Sequence, residues 1–562
     1  MSQAPDAPRS LLSGVISAIL IAASLFHFYA AGYGVYAGTT QRSIHWMFMS
    51  VPLFLLYGAG GARARGERPT FFDILWALAS LVSGLYILLT WEEKAMSVEE
   101  ISPVDLALGI AMIAVSLEAA RRAVSIFLPA TAFLFLLYAY FGPYMPGVFI
   151  HKGYSVERLV EHLYIVTEGI YGIPMGISAT FIAVFVLFGA FLNGFGAGTF
   201  FVDISYAIAG RFRGGPAKTA VVSSALMGTI SGSPVANVVT TGSFTIPLMI
   251  KTGYRAKIAG AIEACASTGG MFTPPVMGAG AFIMAEYLGI TYGEVALSAA
   301  MPAFLFYFCL ILLVDAEAAK AGMKPLPAAD LPAPGRTLLR GGHHNAPLLA
   351  IIVFILLGYS PMKTAFWAIL LVVVFAYLRN PERPRLRTFL QALEGGARSV
   401  LPIAAACASA GIIVGVVSLT GLGNTLSTVL IGFTGGYLFI ALVFTMLAAL
   451  VLGCGVPPTA VYVIMAALAV PALIKFGLPP VSAHFFVFYY GCIGAITPPV
   501  ALASYAAAGI SRTSPVETGS AAFRFGLIGF IVPYIFAYSP ALLAVGSWRE
   551  VLLASGTAIL GV

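Results

Sequence analysis

The sequence predicts an all-α polytopic membrane protein built on an inverted repeat, with two re-entrant helical hairpins and two discontinuous helices. Three observations carry that prediction: the scarcity of charge, the length of the apolar runs, and an internal repeat at an offset of 224 residues. Of 562 residues, 59% are hydrophobic and 9% charged, against about 25% charged in soluble proteins, and the mean hydropathy is +0.94. Such a chain cannot make a water-facing surface, which excludes soluble multidomain, disordered and secreted disulfide-rich classes. Cys265, Cys309, Cys407, Cys454 and Cys492 show no metal-ligand or redox spacing and read as small packing residues. The net charge of +7 is explained by cytoplasmic loops, not by nucleic acid.

A span needs about 20 apolar residues, and in lipid each backbone polar group must be satisfied within its own helix or in a closed barrel. Runs at 11–37, 44–60, 71–90, 103–120 and 123–142 meet that length, and no ten-residue alternation suggests a barrel. The first run lacks a basic start and a small-residue cleavage site, so it reads as a retained helix and not a signal peptide. Arg63, Arg65, Arg68, Arg121 and Arg122 mark one side, while Trp91 to Asp105 holds five acids and one lysine. The positive-inside preference then predicts a cytoplasmic N-terminus. Residues 1–145 form a first group of helices, and 146–173 connects it to the rest, with 151–170 reading as an amphipathic helix on the outer interface.

From 174 to 318 and again from 396 to 545, Gly, Pro, Ser and Thr interrupt the apolar runs at membrane depth. These two regions are copies. Ten of the thirty positions from Pro247 to Val276 are identical to those 224 residues later, including Thr273-Pro274-Pro275-Val276 over Thr497-Pro498-Pro499-Val500, and Pro234 falls on Pro458. Basic residues at both ends of 217–250 (Arg211, Arg213, Lys218; Lys251, Arg255, Lys257) predict a segment that enters and leaves on one side, with Ser231-Gly232-Ser233-Pro234 at its tip. A broken helix, 254–291, follows. In the second copy the hairpin is 437–475, with Gly453 to Pro458 at its tip, and the broken helix is 481–511. Residues 319–395 hold cytoplasmic loops and two linking helices, 346–358 and 361–378, before the basic loop Arg379 to Arg387. Five crossings separate the starts of the copies, so the copies are inverted, although Lys475 then falls on the outer side and must snorkel. Inverted repeats with paired broken helices point to a secondary transporter with its site near the midplane.

Broken helices expose N–H groups and a positive dipole end at one terminus and free carbonyls at the other, suiting a carboxylate and Na⁺ respectively. One cation site is expected from Ser231, Gly232, Ser233 and Asn237 with Gly269 and Thr273. Its partner is expected from Gly453, Gly455, Val456 and Thr459 with Thr497, and substrate is expected against Ser233, Asn237, Thr273, Pro274, Pro458, Thr459, Thr497 and Pro498. The competing reading is that such small residues serve helix packing. Glu263, one or two turns from Arg255 and Lys257, and Glu286 and Asp315 near helix ends, are explained by salt bridges or interfacial positions as well as by a proton relay. His27 and His484 read as isolated on apolar runs, and His343 and His344 as solvated. No phosphate-binding Gly-x-x-x-x-Gly-Lys-Ser/Thr loop and no catalytic His-Glu-x-x-His constellation occurs, so no nucleotide and no enzymatic activity is expected.

The runs Gly194-Phe-Gly-Ala-Gly198, Gly228-Thr-Ile-Ser-Gly-Ser-Pro-Val-Ala-Asn237, Gly269-Gly-Met-Phe-Thr-Pro-Pro-Val276, Gly453-Cys-Gly-Val-Pro-Pro-Thr459 and Ala495-Ile-Thr-Pro-Pro-Val500 resemble those of the tripartite ATP-independent periplasmic (TRAP) transporters. The resemblance is to the fused small-plus-large membrane component of the TAXI type, with 1–145 similar to the small subunit. It implies a bacterial or archaeal inner-membrane permease, two Na⁺ sites, uptake of an organic acid delivered by a periplasmic TAXI-type binding protein, and an elevator movement of the hairpin domain. It also implies one fused permease chain per functional unit. A stand-alone Na⁺/dicarboxylate symporter is the alternative, with a channel or a multipass enzyme behind it. The last segment, 546–562, interrupted by Trp548-Arg549-Glu550, is marginal for a span where the family commonly carries further hydrophobic sequence, so a short or truncated end is expected there.

Overall fold

The structure is a computed structural model, and it describes residues 11–34, 36–63, 68–96, 101–327, 329, 331–379 and 384–561. The N-terminal ten residues, Arg65, Glu99, Glu100 and residues 380–383 of the basic loop, which entered the topology argument, lie outside the described residues, as does Val562. Helices dominate, and the described strands are the two-residue pair Tyr57–Gly58 and Gly61–Ala62. Among the described residues, nine helices are long and apolar enough to cross a membrane.

Four long helices open the chain: Leu11–Tyr33, Gly38–Leu56, Phe71–Met96 and Pro103–Ala123. Their ends are held by buried ion pairs. At one end Arg122 binds Asp73 (2.5 Å) and Glu118 (2.6 Å), with Arg63 also on Asp73. At the other, Lys94 reaches Asp105 at 2.6 Å, and Asp105 also closes a capping box with Ser102. The fifth expected span is shorter than 123–142: the helix is Phe127–Tyr140, 14 residues or about 21 Å long, followed by two short turns.

The connector also departs from expectation. Residues 151–170 are helical only over Val156–Val160 and Glu161–Ile165, because the chain then folds back at Gly169, where a side chain would collide with the Leu163 backbone. This short helix is amphipathic, with Glu157 and Arg158 exposed and Leu159, Val160 and Leu163 buried. It is anchored by Tyr164, whose hydroxyl donates to the Ser83 carbonyl at 2.6 Å, and by His162, 3.0 Å from the Gly415 carbonyl.

The frame of the molecule is a 35-residue helix, Leu386–Thr420, about 52 Å long and buried over most of its length. It begins ten residues before 396. Its small residues admit close neighbours: Gly411 and Gly415 lie against the backbone of Gly169, Ser409 donates to Ser116 O (3.2 Å), and Ser24 donates to Leu393 O (2.7 Å). The helices Leu11–Tyr33, Gly38–Leu56, Pro103–Ala123 and Phe127–Tyr140, the helix Ile173–Gly194 and the second hairpin pack against it.

The first hairpin consists of Gly215–Ser231 and Pro234–Lys251, and the first broken helix of Ala256–Gly269 and Ala279–Leu288. In the second copy the hairpin arms are Leu438–Gly453 and Pro458–Leu468, the latter bending at Ala469 into Val470–Lys475, and the broken helix is Pro480–Ile493 and Leu502–Ser511. Left-handed glycines mark three of these stops: Gly232 (φ 59°) and Gly455 (φ 91°) at the hairpin tips, and Gly289 (φ 63°) after Leu288.

Candidate functional site

The first hairpin tip is assembled by capping chemistry. Gly232, at φ 59°, ends one arm, and Ser233 starts the next by accepting the Ala236 N–H on its Oγ (3.3 Å), with Pro234 in the first helical position where no donor is needed. Ser231 donates to the Ser233 carbonyl at 3.4 Å. Just below the tip, Gly228 crosses Gly270 so closely that a Cβ on Gly270 would stand 2.3 Å from the Gly228 Cα. The tip itself rests on Met277 and Gly278, with a Cβ on Gly232 falling 3.1 Å from the Met277 carbonyl.

That contact defines the first break. After Gly269 the chain makes one tight turn, Gly270–Phe272, and leaves the helix until Ala279. Thr273 donates to the Gly269 carbonyl at 2.7 Å, and the Tyr292 hydroxyl covers the carbonyls of Pro275 (3.0 Å) and Val276. The second break repeats the pattern. Gly494 crosses Gly453, a Cβ there standing 3.4 Å from the Gly453 Cα, and Thr497 donates to Ile493 O at 2.8 Å. The Pro274–Pro275 and Pro498–Pro499 bonds are both cis. The two breaks are linked by Phe272 stacked on Tyr489, ring centroids 4.1 Å apart.

Of the residues expected to act together, Ser231, Gly232 and Ser233 do share one tip, and Gly269 and Thr273 share one hydrogen bond. Gly269, however, turns its open side toward Phe306 and Tyr307 and not toward the tip. Asn237 is wholly buried beneath the tip: its amide donates to Ser224 O at 2.8 Å, and its Oδ1 lies 3.3 Å from the Thr241 hydroxyl oxygen. In the second copy Gly453, Val456 and Thr459 are buried around the tip, Pro458 and Thr497 are half-buried, and Pro498 is exposed; in the first, Pro274 is half-buried. Gly455, at φ 91°, packs on Phe127, and its carbonyl accepts the Ser125 hydroxyl, which ties this tip to the N-terminal helices.

Beneath the first tip lies a polar cluster that sequence reasoning underrated. Glu263 is wholly buried and forms no salt bridge among the described residues: Arg255 and Lys257 turn outward to Glu317 and Glu517, each at 3.3 Å. Its Oε1 instead accepts from Ser224 (2.5 Å), Thr241 (2.6 Å) and Ser267 (3.1 Å), and its Oε2 from Thr245 (2.5 Å). Asp315 does pair, with Lys218 at 2.6 Å and with Arg213.

The histidines require correction as well. His27 is not isolated: its Nε2 lies 3.0 Å from His45 Nδ1, and His45 Nε2 lies 2.9 Å from Ser178 Oγ, joining the N-terminal helices to Ile173–Gly194. His484 meets the Tyr462 hydroxyl at 2.9 Å. His344 is buried, its ring against Phe200 and His343. A cavity of about 220 Å³ opens where Gly38, Gln41 and Arg42 face Thr180 and Glu286. Arg42, which no motif marks, donates to the Tyr171 carbonyl at 2.5 Å and passes over Gly176, where a Cβ would stand 2.9 Å from its Nε.

Comparison with known proteins covers most of this architecture. A family model for the tripartite ATP-independent periplasmic transporter, DctM component, matches residues 110–551. Among similar proteins, the C4-dicarboxylate TRAP transporter large permease protein DctM of Pseudomonas aeruginosa is 25% identical over 380 residues, spanning 65% of this chain and 85% of the relative. The protein of the same description from Vibrio cholerae is 24% identical over 393 residues, 64% of this chain and 84% of its own. The isethionate TRAP transporter permease protein DctMQ of Oleidesulfovibrio alaskensis is 23% identical over 364 residues, 64% of this chain and 56% of its own.

Proposed function

The chain belongs to the tripartite ATP-independent periplasmic transporters as their DctM component, and from that premise we propose that it is the fused permease of a TAXI-type system, importing an organic acid in symport with Na⁺. It is a multi-pass membrane transport protein and not an enzyme. In this reading the substrate is a carboxylate, in line with the C4-dicarboxylate relatives, and a periplasmic substrate-binding protein delivers it. The N-terminus is cytoplasmic, the membrane is the inner membrane, and residues 1–145, of which 1–109 precede the family match, serve as small-subunit-like scaffold.

The observation that supports this best is the doubled unit of hairpin and break. Each copy presents the start of a helix, Pro234–Lys251 or Pro458–Leu468, and a non-helical segment within its broken helix. Unpaired N–H groups at those starts attract a carboxylate, and the carbonyls of the breaks and tips suit a hard cation. Na⁺ is then held by Ser231, Gly232, Ser233, Asn237, Gly269 and Thr273 in one copy and by Gly453, Gly455, Val456, Thr459 and Thr497 in the other. Substrate lies against Ser233, Asn237, Thr273, Pro274, Pro458, Thr459, Thr497 and Pro498. An elevator movement of both hairpins against the N-terminal and linking helices carries the load across.

Proteoliposome uptake of labelled succinate, as the C4-dicarboxylate probe, tests the reading with and without a Na⁺ gradient and the partner binding protein. Uptake is expected only with both. Uptake without the binding protein returns the chain to a stand-alone symporter, and Na⁺-insensitive downhill flux to a channel. Thr273→Ala and Thr497→Ala are each expected to weaken Na⁺ activation, and unchanged activation in both removes the assigned cation sites.

A further inference from the structure

Glu263 stands in a position that the repeat does not require to be polar. The helix carrying it packs against both arms of the first hairpin, and the four hydroxyls on its carboxylate come from three segments: Ser224 from one arm, Thr241 and Thr245 from the other, and Ser267 from its own helix. At the 224-residue offset the second copy has Val487 in place of Glu263, Met465 for Thr241, Ala469 for Thr245 and Gly491 for Ser267. The crossing of Gly228 on Gly270 matches that of Gly453 on Gly494, which sets Ser224 against Ala449. Val487, Met465 and Ala449 are all buried. The same hairpin and broken helix therefore fold with an apolar centre, so the polar centre of the first copy does something other than hold the fold.

We propose that Glu263 is a proton-binding site, loaded and unloaded with one H⁺ while the hairpin lies against its broken helix. The contacts around the carboxylate are those of a hydrogen-bonded group. Three of the hydroxyl oxygens lie 2.5–2.6 Å from the Glu263 carboxylate, within hydrogen-bond reach. Among the described residues no neighbouring cation is paired with the carboxylate. On the packed elements Lys218 is engaged by Asp315, Arg255 by Glu317 and Lys257 by Glu517, while Lys251, Arg512 and Arg524 are exposed. The buried titratable neighbours are engaged with carbonyls: Cys265 donates to Ala522 O, Tyr307 to Ala266 O and Tyr490 to Phe530 O. Cys492 and Tyr489 are buried on the adjoining half of the second broken helix, and neither is hydrogen-bonded to Glu263.

The cluster accommodates both states. In the ionised state the four hydroxyls donate to the carboxylate, which stabilises the anion. When a hydronium ion delivers its proton, one O–H bond forms on the carboxyl and one water is released. Thr241 then turns its hydroxyl hydrogen to the Asn237 carbonyl (2.8 Å) and Thr245 to the Thr241 carbonyl (3.1 Å), so neither is orphaned. Asn237 is tied to Ser224 and Thr241, and through it the loaded state is transmitted to the tip four residues away. The site stands on this geometry, and only its consequence for uptake rests on the transport reading.

Infrared difference spectroscopy of the full-length permease in liposomes, in Na⁺-free buffer without substrate or binding protein, tests it. On acidification a protonated-carboxyl C=O band is expected that Glu263→Gln abolishes. Thr245→Val, which removes one donor to the anion, is expected to raise apparent proton affinity about tenfold, and it decides the matter if Glu263→Gln does not fold. A spectrum in which Glu263→Gln removes no pH-dependent band overturns the proposal, as does an unmoved midpoint in Thr245→Val. A band that Na⁺ erases at constant pH also overturns it, making the site a cation site. Because no uptake is measured, failure here leaves the proposed function standing, and failure of succinate uptake leaves this band unexplained by anything else.

Discussion

The two copies of the repeat meet their hairpins in different materials. In the first, helix crosses helix through oxygens around Glu263 and through glycine backbones nearly in contact; in the second, through Val487, Met465 and aromatic rings such as Tyr462 against Phe488. One backbone plan tolerates both interiors. The difference shows that pseudo-symmetry here is a property of where helices stop, whereas chemistry is placed in one copy only.

That contrast can be broken by exchange. Val487→Glu puts an acid at a buried position where Met465, Ala469, Gly491 and Ala449 replace the four hydroxyl residues of the first copy, and the expected cost of about 3–5 kcal/mol removes most folded protein in detergent gel filtration; normal recovery would mean that the second copy is also built for charge. The glycine crossings give a smaller effect of the same kind. Gly270→Ala brings a methyl to 2.3 Å from the Gly228 Cα, while Gly494→Ala meets Gly453 at 3.4 Å. Thermal unfolding is expected to show about 1–3 kcal/mol lost in the first and under about 1 kcal/mol in the second. Equal losses would deny that the first hairpin is the more tightly seated. The smallest change concerns the scaffold. Ser125→Ala removes the hydroxyl from the Gly455 carbonyl, at about 1 kcal/mol, and is expected to increase crosslinking access at the second tip with little loss of melting temperature.

Much of the fold is legible because its signals are local. Apolar runs announce helices, and Gly232, Gly421 and the Thr-Pro-Pro triplets announce where they end, since lipid permits a helix to stop only where its free groups are met again. Legibility failed where packing decided. Residues 151–170 read as one amphipathic helix, yet the contact of Gly169 with Leu163 folds the chain back after Ile165. Glu263, near two basic residues in sequence, reads as a partner for either; in three dimensions those bases face other helices. The clue to Glu263 was nevertheless present in the aligned copies, as an acid opposite a valine with three hydroxyl residues opposite methionine, alanine and glycine.

Composition and spacing alone therefore determined the solvent of this protein, its helical class, its doubled plan and the residues at which its helices break, because each follows from chain-local requirements: apolar length, backbone satisfaction, and the dihedral limits of proline and glycine. The partners of Glu263, the seat of Asn237 beneath the tip, the His27–His45–Ser178 link and the hold of Ser125 on Gly455 were decided by tertiary structure. Each of these contacts joins separate segments, with Ser125 and Gly455 330 residues apart, and a hydrogen bond between helices is set by how they cross, which no single helix encodes.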